Sequence, residues 1–344
     1  MKKVISLILS LVMIASLFAG CGASEPAETT VAAVTPAPAA SEAAEAEAQE
    51  FTVAIVQQLD HSSLDEIRTA IKAQLDALAA ENNITITIEE YNGQNDNSVL
   101  NQISTEVVSD GVDMIIPIAT LAATSAVVAA EGTDIPIVYA AISDPESAGL
   151  TGLPTVTGVS DALNTPFILD MMLAAQPDIK TVGLLYSNSE VNSQTPIAEA
   201  KAYLEEKGIE VLEKTGNTSG EVVEAAASMV GRVDAVFTPT DNTVMAAEAA
   251  VAELFNAAGI AHYTGADSFV TSGAFTTCGV NYTELGTKVA DMAFDILQGG
   301  GIGDFVVMDG GIITVNTETA AAIGVDYSVF STMANTVIEV TTAE

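Results

Sequence analysis

The chain has 344 residues, 49% of them apolar, so it can bury a large core and is longer than a single hydrophobic core usually fills. It carries 46 acidic and 10 basic residues, which gives a formal net charge of −36 at pH 7. Such a surface repels phosphate backbones and anionic lipid headgroups, so the composition excludes a nucleic-acid partner.

The first twenty residues have the pattern of an export signal. Lysines occupy positions 2 and 3, a mainly apolar stretch without charged residues covers residues 4–18, and the small residues Ala19 and Gly20 follow. The apolar stretch is too short for a permanent membrane span. We therefore predict a signal peptide over residues 1–20 and a protein that works outside the cytoplasm.

Cys21 and the segment after it indicate a lipid anchor on a flexible tether. Cys21 directly follows a glycine, and this junction resembles the lipobox of bacterial lipoproteins, with Phe18 where leucine is usual. The resemblance implies that Cys21 is lipidated and becomes the new N-terminus, which would attach the chain to the bacterial cell membrane. The alternative is a plain secretory signal cleaved near Ala19. Because residues 22–49 are almost entirely Ala, Glu, Pro, Thr and Ser, we predict that residues 21–50 are a lipidated cysteine followed by a disordered acidic linker.

Strands and helices alternate from residue 51 onward, in two similar sets. Apolar runs and period-two alternation predict strands, and helical spacing behind capping residues predicts helices. The first set has predicted strands at 52–56, 84–88, 114–118 and 135–142, with helices at 63–78, 96–107 and 121–130. The second set has predicted strands at 181–186, 210–213, 235–237 and 260–264, with helices at 195–207, 219–230 and 244–258. Each set therefore predicts a parallel sheet covered by helices on both faces.

The segments left over indicate how the two sets are joined. Residues 155–166 form the first crossing, and a helix at 284–297 is followed by a strand at 311–315 and a short helix at 317–323. We interpret these as chain that returns to the first lobe and then to the second. The predicted fold class is α/β, with two doubly wound parallel-sheet lobes joined by a three-stranded hinge. The predicted lobes are residues 51–160 plus 284–310 and residues 161–283 plus 311–344.

The ligand crevice of open parallel sheets forms beyond the carboxyl ends of the strands. Eight predicted loops reach that edge: residues 57–61, 92–97, 119–120, 140–145, 187–192, 217–219, 238–242 and 265–268. They contain hydroxyl, amide and carboxylate side chains but no lysine or arginine. Backbone N–H groups at the helix starts would suit a carboxylate, and the aspartates would suit an ammonium or amidine. A zwitterionic ligand would therefore suit both the N–H groups and the aspartates. The alternative is that these side chains only cap helices and make turns.

Catalytic patterns are missing from the sequence. His61 and His262 are the only histidines, they fall in different predicted lobes, and neither belongs to an HExxH motif. A GxSxG elbow and a phosphate-binding loop are also missing. We predict that the chain is not an enzyme and uses no cofactor or metal. It has no tryptophan on which a sugar ring could stack, which disfavours a sugar ligand.

Several motifs, in order over residues 51–330, resemble one family. They are Ile55–Gln57 with His61–Asp65, Ile118–Thr120, Ile135–Pro145, Thr157–Asp161, Leu185–Ser193 and Thr238–Thr243. The chain resembles substrate-binding lipoproteins of ABC transporters in the type I periplasmic-binding-protein superfamily, within the family that includes tryptophan- and tyrosine-binding lipoproteins. This resemblance implies two lobes that close on a ligand and deliver it to a membrane permease.

The same resemblance implies roles for individual residues. Thr120 and the neighbouring amides, including that of Ala119, would hold a carboxylate, and Asp241 or Asp267 would take an ammonium. Gln57 and Gln58 would contact the remaining part of the ligand. The other predicted ligand-binding residues are Ser143, Asn188, Ser189, Asn192 and Asn242.

These observations favour capture of a small zwitterion, an amino acid that could be aromatic, for import by an ABC permease. The alternatives are a tethered sensor that docks on a membrane receptor, or import of another small solute such as a nucleobase or amine. We expect the protein to act as a monomer.

Overall fold

Two β-sheets organise the part of the chain that the computed structural model describes, residues 49–343. The signal peptide, Cys21 and nearly all of the predicted linker lie outside these residues. Strand β1 begins at Glu50, inside the segment predicted as linker, because the Gln49 carbonyl accepts a hydrogen bond from the Thr85 N–H and Glu50 pairs with Thr85. Within residues 49–343, no helix combines the length and the apolar character needed to cross a bilayer.

The first part of the chain alternates strands and helices. Its elements are β1 (Glu50–Gln57), α1 (Ser62–Asn82), β2 (Thr85–Asn92), α2 (Asn97–Asp110), β3 (Met114–Ile118), α3 (Thr120–Ala129), β4 (Ile137–Ala140) and β5 (Val156–Ser160). The middle part repeats the alternation. Its elements are α4 (Thr165–Ala175), β6 (Thr181–Tyr186), α5 (Gln194–Glu206), β7 (Glu210–Thr215), α6 (Ser219–Met229), β8 (Ala235–Thr238), α7 (Asn242–Met245), α8 (Glu248–Ala258), β9 (Ala261–Thr264), α9 (Asp267–Thr271) and β10 (Thr276–Gly279).

The last part of the chain supplies elements to both sheets. They are α10 (Tyr282–Leu297), β11 (Val306–Val307), β12 (Ile312–Asn316), α11 (Thr317–Ile323) and β13 (Thr336–Val340). The sequence pattern did not predict β13. It is an edge strand whose side chains are exposed or half-buried, so it lacks the apolar run that marks a central strand.

The first sheet has the strand order β11-β5-β4-β3-β1-β2, with every pair parallel. The second sheet has the order β13-β12-β10-β9-β8-β6-β7, in which β10 and β12 pair antiparallel. Most of the central strands are the predicted apolar runs, and β3 is buried along its whole length; β5 and β10, which also lie inside their sheets, were not predicted. The buried carboxyl ends of these strands place the loops that follow them along one edge of each sheet.

The chain passes between the two lobes three times. It crosses after β5, again between β10 and α10, and a third time between β11 and β12. Helix α10 packs along α1 of the first lobe. Two doubly wound lobes joined by three crossings are the architecture of type I periplasmic binding proteins, so the predicted fold class is confirmed.

The contact between α1 and α10 yields a stability prediction. A Cβ atom at Gly286 of α10 would lie 2.6 Å from the Ile67 carbonyl oxygen and 2.8 Å from the Ala70 Cβ of α1. We expect Gly286→Ala to push the helices apart and lower the free energy of unfolding by about 1–3 kcal/mol, measured by urea titration. Gly220→Ala in α6 is the matched control, since a Cβ there meets no atom within 4 Å. It should leave stability unchanged or raise it by up to about 1 kcal/mol. Equal unfolding midpoints for G286A and the wild type would contradict the close approach.

Candidate functional site

A small cavity lies between the lobes, where the carboxyl ends of both sheets face each other. Its volume is about 30 Å³, which is the space of one or two water molecules. Its walls come from the first lobe (His61, Ser63, Leu64, Ala119, Thr120, Ala141, Ser143), from the first crossing and α10 (Asp161, Tyr282), and from the second lobe (Asn192, Thr240, Asn242, Met245, Ala266, Ser268, Phe269). A larger ligand therefore needs the lobes to part.

A second, larger cleft of about 620 Å³ lies on the hinge side, and Asp161 and Tyr282 line both spaces. We place the functional site in the smaller cavity, because its walls carry polar atoms that the protein leaves without partners. Within residues 49–343, the buried His61 Nδ1, Asn192 Oδ1 and Ser268 Oγ have no hydrogen-bond partner. Buried polar atoms without partners are costly, so their grouping around one cavity indicates a site that a ligand completes.

The backbone around the cavity is strained at two positions. Ala119 has φ 74° and Ala141 has φ 56°, values that a residue with a Cβ atom adopts only at a cost of about 1–3 kcal/mol. Both residues follow strands of the first sheet and line the cavity. Ala119 directly precedes α3, so the first N–H groups of that ten-residue helix begin at the cavity wall. The Leu121 N–H is already taken by Gln58 Oε1 at 3.1 Å. The N-terminus of α3 is suited to a carboxylate.

Asp161 supplies a buried carboxyl group to the same cavity. It follows β5 directly, and Ser143 Oγ donates to Asp161 Oδ1 at 3.0 Å. Burial raises the pKa of Asp161 to about 6, against the lowering effect of the Ser143 and Tyr282 hydroxyls. The sequence pattern predicts this segment as a crossing between the lobes, and Asp161 is not among the predicted ligand-binding residues. The signal that could have found it is its position at the carboxyl end of a buried strand.

Five of the predicted site residues line the cavity: Ala119, Thr120, Ser143, Asn192 and Asn242. Gln57 and Gln58 lie behind the wall and are fully buried. The Gln57 amide donates to the Leu59 carbonyl at 2.7 Å and to Asp65 Oδ1 at 2.8 Å, so it shapes the turn after β1. Asp267 begins α9 beside two residues that line the cavity, and burial raises its pKa.

Three other predicted residues do not line the cavity. Asp241 is fully buried, and its carboxylate accepts from the Ser187 N–H at 2.6 Å, Ser193 Oγ at 2.7 Å and the Val244 N–H at 2.9 Å. It caps α7, as the capping alternative predicts. Asn188 and Ser189 are exposed, and Ser189 Oγ is 2.6 Å from Ser187 Oγ, so this turn faces away from the cavity.

Direct hydrogen bonds join the two lobes around the cavity. Gln58 Nε2 donates to Glu190 Oε1 at 3.1 Å, and Ser63 Oγ donates to Asp267 Oδ1 at 2.8 Å. Thr195 Oγ1 donates to Asp144 Oδ2 at 2.6 Å. Further contacts of this kind join His61 to Asn242 and Ser143 to Thr240. The lobes are therefore closed on the cavity.

The electrostatics of the site are acidic. Among residues 49–343, no lysine or arginine lines the cavity. Arg68 lies nearby in α1, but its guanidinium pairs with Asp65 Oδ1 at 3.1 Å and with Asp60 Oδ1 at 3.6 Å. The charge of Asp60, which lies in the predicted loop 57–61, is thus shared with Arg68. The free negative charge at the cavity comes from Asp161 instead.

Known proteins place these features in a family. Residues 52–336 match the family model described as "ABC transporter substrate binding protein". The "Tyrosine-binding protein" of Clostridioides difficile strain R20291 is 31% identical over 330 residues, which cover 94% of this chain and 92% of that protein.

Two solved structures extend the comparison. The ABC domain from Streptococcus pneumonia in complex with L-Trp has a TM-score of 0.78 at 28% identity, covering 84% of this chain and 100% of that chain. The ligand-free, open structure of a substrate-binding protein with adhesive properties from Clostridium difficile has a TM-score of 0.64 at 31% identity. The match covers 85% of this chain and 100% of that chain. The open structure has the higher sequence identity but the lower TM-score. This difference is expected because its lobes are parted, whereas the lobes of this chain are closed. These relatives are binding proteins, which confirms the prediction that the chain is a carrier and not an enzyme. The chain belongs to the family of ABC transporter substrate-binding proteins.

Proposed function

We propose that the protein captures a zwitterionic aromatic amino acid outside the cytoplasm and delivers it to an ABC importer. The observation that carries the proposal is the interlobe cavity, which combines unpartnered polar atoms, a helix N-terminus and a buried carboxylate, with no lysine or arginine among the described residues that line it. The N-terminus of α3 would take the ligand carboxylate, and Asp161 would take the ammonium. Asp267, on the other lobe, would add negative potential near the ammonium.

The walls of the cavity support an aromatic side chain. Leu64 comes from the first lobe, and Met245 and Phe269 come from the second. A flexible thioether and an aromatic ring make favourable contacts with a ligand ring. The relatives named above bind tyrosine and L-Trp, which supports the same ligand class for this chain.

We further propose that the protein acts as a monomer tethered to the membrane through lipid on Cys21. Support comes from the apolar stretch at residues 4–18, the glycine before Cys21 and the acidic linker that follows. A tethered domain would stay free to meet a permease in the same membrane.

Calorimetry of the purified domain, residues 49–344, with L-tyrosine, L-tryptophan and L-phenylalanine tests the proposal. We expect one-to-one binding and a rise in melting temperature, because saturation at about 100 times Kd adds about 2.7 kcal/mol of stability. Tyramine lacks the carboxylate and 3-(4-hydroxyphenyl)propionate lacks the ammonium, so each should bind at least about tenfold more weakly than tyrosine. Equal affinity for tyrosine and tyramine, or no heat with any amino acid, would contradict the proposed site.

A further inference from the structure

One carboxyl group is buried where the closed lobes meet and has no cationic partner. Glu190 follows β6 in the second lobe and is fully buried. Among residues 49–343, none of the ion pairs includes it. Its neighbours are uncharged: Oε1 lies 3.1 Å from Gln58 Nε2 of the first lobe and 3.4 Å from Thr243 Oγ1, and Oε2 lies 3.3 Å from Asn242 Nδ2. A carboxylate buried in such surroundings is costly, whereas the neutral acid is not.

Contacts within the first lobe fix the orientation of the Gln58 amide. Its Oε1 accepts from the Leu121 N–H at 3.1 Å, so its Nε2 faces the second lobe and donates to Glu190 Oε1. A proton on Glu190 is then carried by Oε2, and the Asn242 amide can turn its oxygen inward to accept it. In the closed form, the neutral carboxyl group therefore finds a partner for each of its oxygens.

The titratable groups around Glu190 also favour its neutral form. Burial, together with the Asp241 charge from the same lobe, raises the pKa of Glu190 to about 8. His61 reaches Asn242 from the first lobe at 3.3 Å, but burial lowers its pKa to about 4. The imidazole is therefore uncharged near neutral pH and does not compensate a carboxylate at Glu190.

Opening the lobes withdraws Gln58 and lets water reach Glu190. The carboxyl group then regains its ordinary pKa of 4.5 and loses its proton at neutral pH. Closing the empty lobes therefore takes up a proton between about pH 4.5 and 8. Below pH 6.5 the closing lobes also strip a proton from His61, which opposes this effect. Between pH 6.5 and 8 the imidazole is neutral in both forms, and Glu190 acts without that opposition.

We infer that a proton on Glu190 holds the empty lobes closed, so that the ligand-free protein opens as the solution becomes more alkaline. The closed cavity of about 30 Å³ admits only water, so the same proton keeps the binding site shut. The inference concerns the protein without ligand and does not depend on which ligand it binds.

The size of the effect follows from the two pKa values of Glu190. With about 4.5 in the open form and about 8 in the closed form, the ratio of closed to open molecules should fall at least about tenfold from pH 6.5 to pH 8. In Glu190→Gln the side chain is neutral at every pH. Its ratio should stay nearly constant over this range and exceed that of the wild type at pH 8.

Pulsed electron paramagnetic resonance between spin labels on the two lobes tests the inference. Residues 49–344 contain every strand of both sheets, and Gln102→Cys in α2 and Ala227→Cys in α6 provide two exposed labelling positions. Cys278→Ala removes the buried thiol. The distance distribution of the dialysed, ligand-free protein at pH 6.5, 7.2 and 8 gives the fractions of closed and open molecules. Glu205→Gln, at an exposed position of α5, is the matched control and should follow the wild type.

The wild-type profile tests the inference even if Glu190→Gln does not fold. A shift from short to long distances between pH 6.5 and pH 8, absent in Glu190→Gln, would support it. A wild-type ratio that is constant over this range, or one that changes equally in Glu190→Gln, would overturn it. Because the samples contain no ligand, neither result bears on the proposed function, which the calorimetry tests separately.

Discussion

Asp161→Asn should weaken binding of the amino-acid ligand by roughly 30-fold or more in calorimetry, while the protein still folds. Removing one member of a buried charge pair weakens binding by about 2–5 kcal/mol, because the partner charge stays buried without compensation. Asparagine has nearly the same shape, and its Oδ1 can still accept the hydrogen bond that Ser143 Oγ donates. The loss should therefore come from the missing charge opposite the ligand ammonium.

The control for that variant is Asp96→Asn. Asp96 is exposed and caps α2 by accepting from the N–H groups of Ser98 and Val99. Asparagine is an equally good capping residue, so ligand affinity should not change. A zwitterion that binds Asp161→Asn as tightly as the wild type would show that the ammonium lies elsewhere, and Asp267 would then be the next carboxylate to replace.

We expect the stability of the wild type to fall as the pH rises, and Glu190→Gln should remove much of this pH dependence. Burial, together with the neighbouring Asp241 charge, raises the pKa of the Glu190 carboxyl group from an ordinary value of 4.5 to about 8. Below pH 4.5 the group is protonated in both the folded and unfolded states and has no effect. Between about pH 4.5 and 8 the folded state holds a proton that the unfolded state has lost, so the free energy of unfolding falls as the pH rises. Above pH 8 the penalty is constant.

The expected size of this effect is several kcal/mol, because each pKa unit corresponds to about 1.4 kcal/mol. Burial also raises the pKa values of Asp161 and Asp241, and those groups act in the same direction. We therefore expect the melting temperature of the wild type to fall from pH 5 to pH 8. Glu190→Gln resembles the protonated carboxyl group, so its melting curve should depend less on pH and should lie above that of the wild type at pH 8.

Glu224→Gln is the matched control, since Glu224 is exposed on α6 of the same lobe. Its pH profile should follow that of the wild type. A wild-type melting temperature that rises from pH 5 to pH 8 would show that Glu190 is solvated, and that the lobes stand apart in solution.

The fold could be predicted from the sequence because its signals are local. Helical spacing of apolar residues marks α1, and the alternating Ile84, Ile86 and Ile88 mark β2. Parallel βα repeats permit few topologies, so two such sets were enough to predict two doubly wound lobes. The same local signals predicted which loops lie at the carboxyl edge of each sheet, and hence the region that contains the cavity.

The roles of individual side chains within those loops could not be predicted, because they depend on packing between distant parts of the chain. Asp241 and Asn242 are adjacent in one loop, yet Asp241 is buried as a helix cap and Asn242 lines the cavity. Asp161 lies in the first crossing, and it faces the cavity only because of the way the chain passes from the first lobe to the second. Gln58 and Glu190 are 132 residues apart and meet only when the lobes close.

The sequence by itself determined the acidic character of the chain, the two-lobe fold and the position of the ligand-facing edge, since each follows from composition or from short-range periodicity. Only the tertiary structure decided that Asp161 faces the cavity in place of Asp241, that Arg68 shares the charge of Asp60, and that a buried ring nitrogen of His61 has no hydrogen-bond partner among residues 49–343. Those outcomes depend on burial and on contacts across the lobe interface, which desolvate some polar groups and leave others in water.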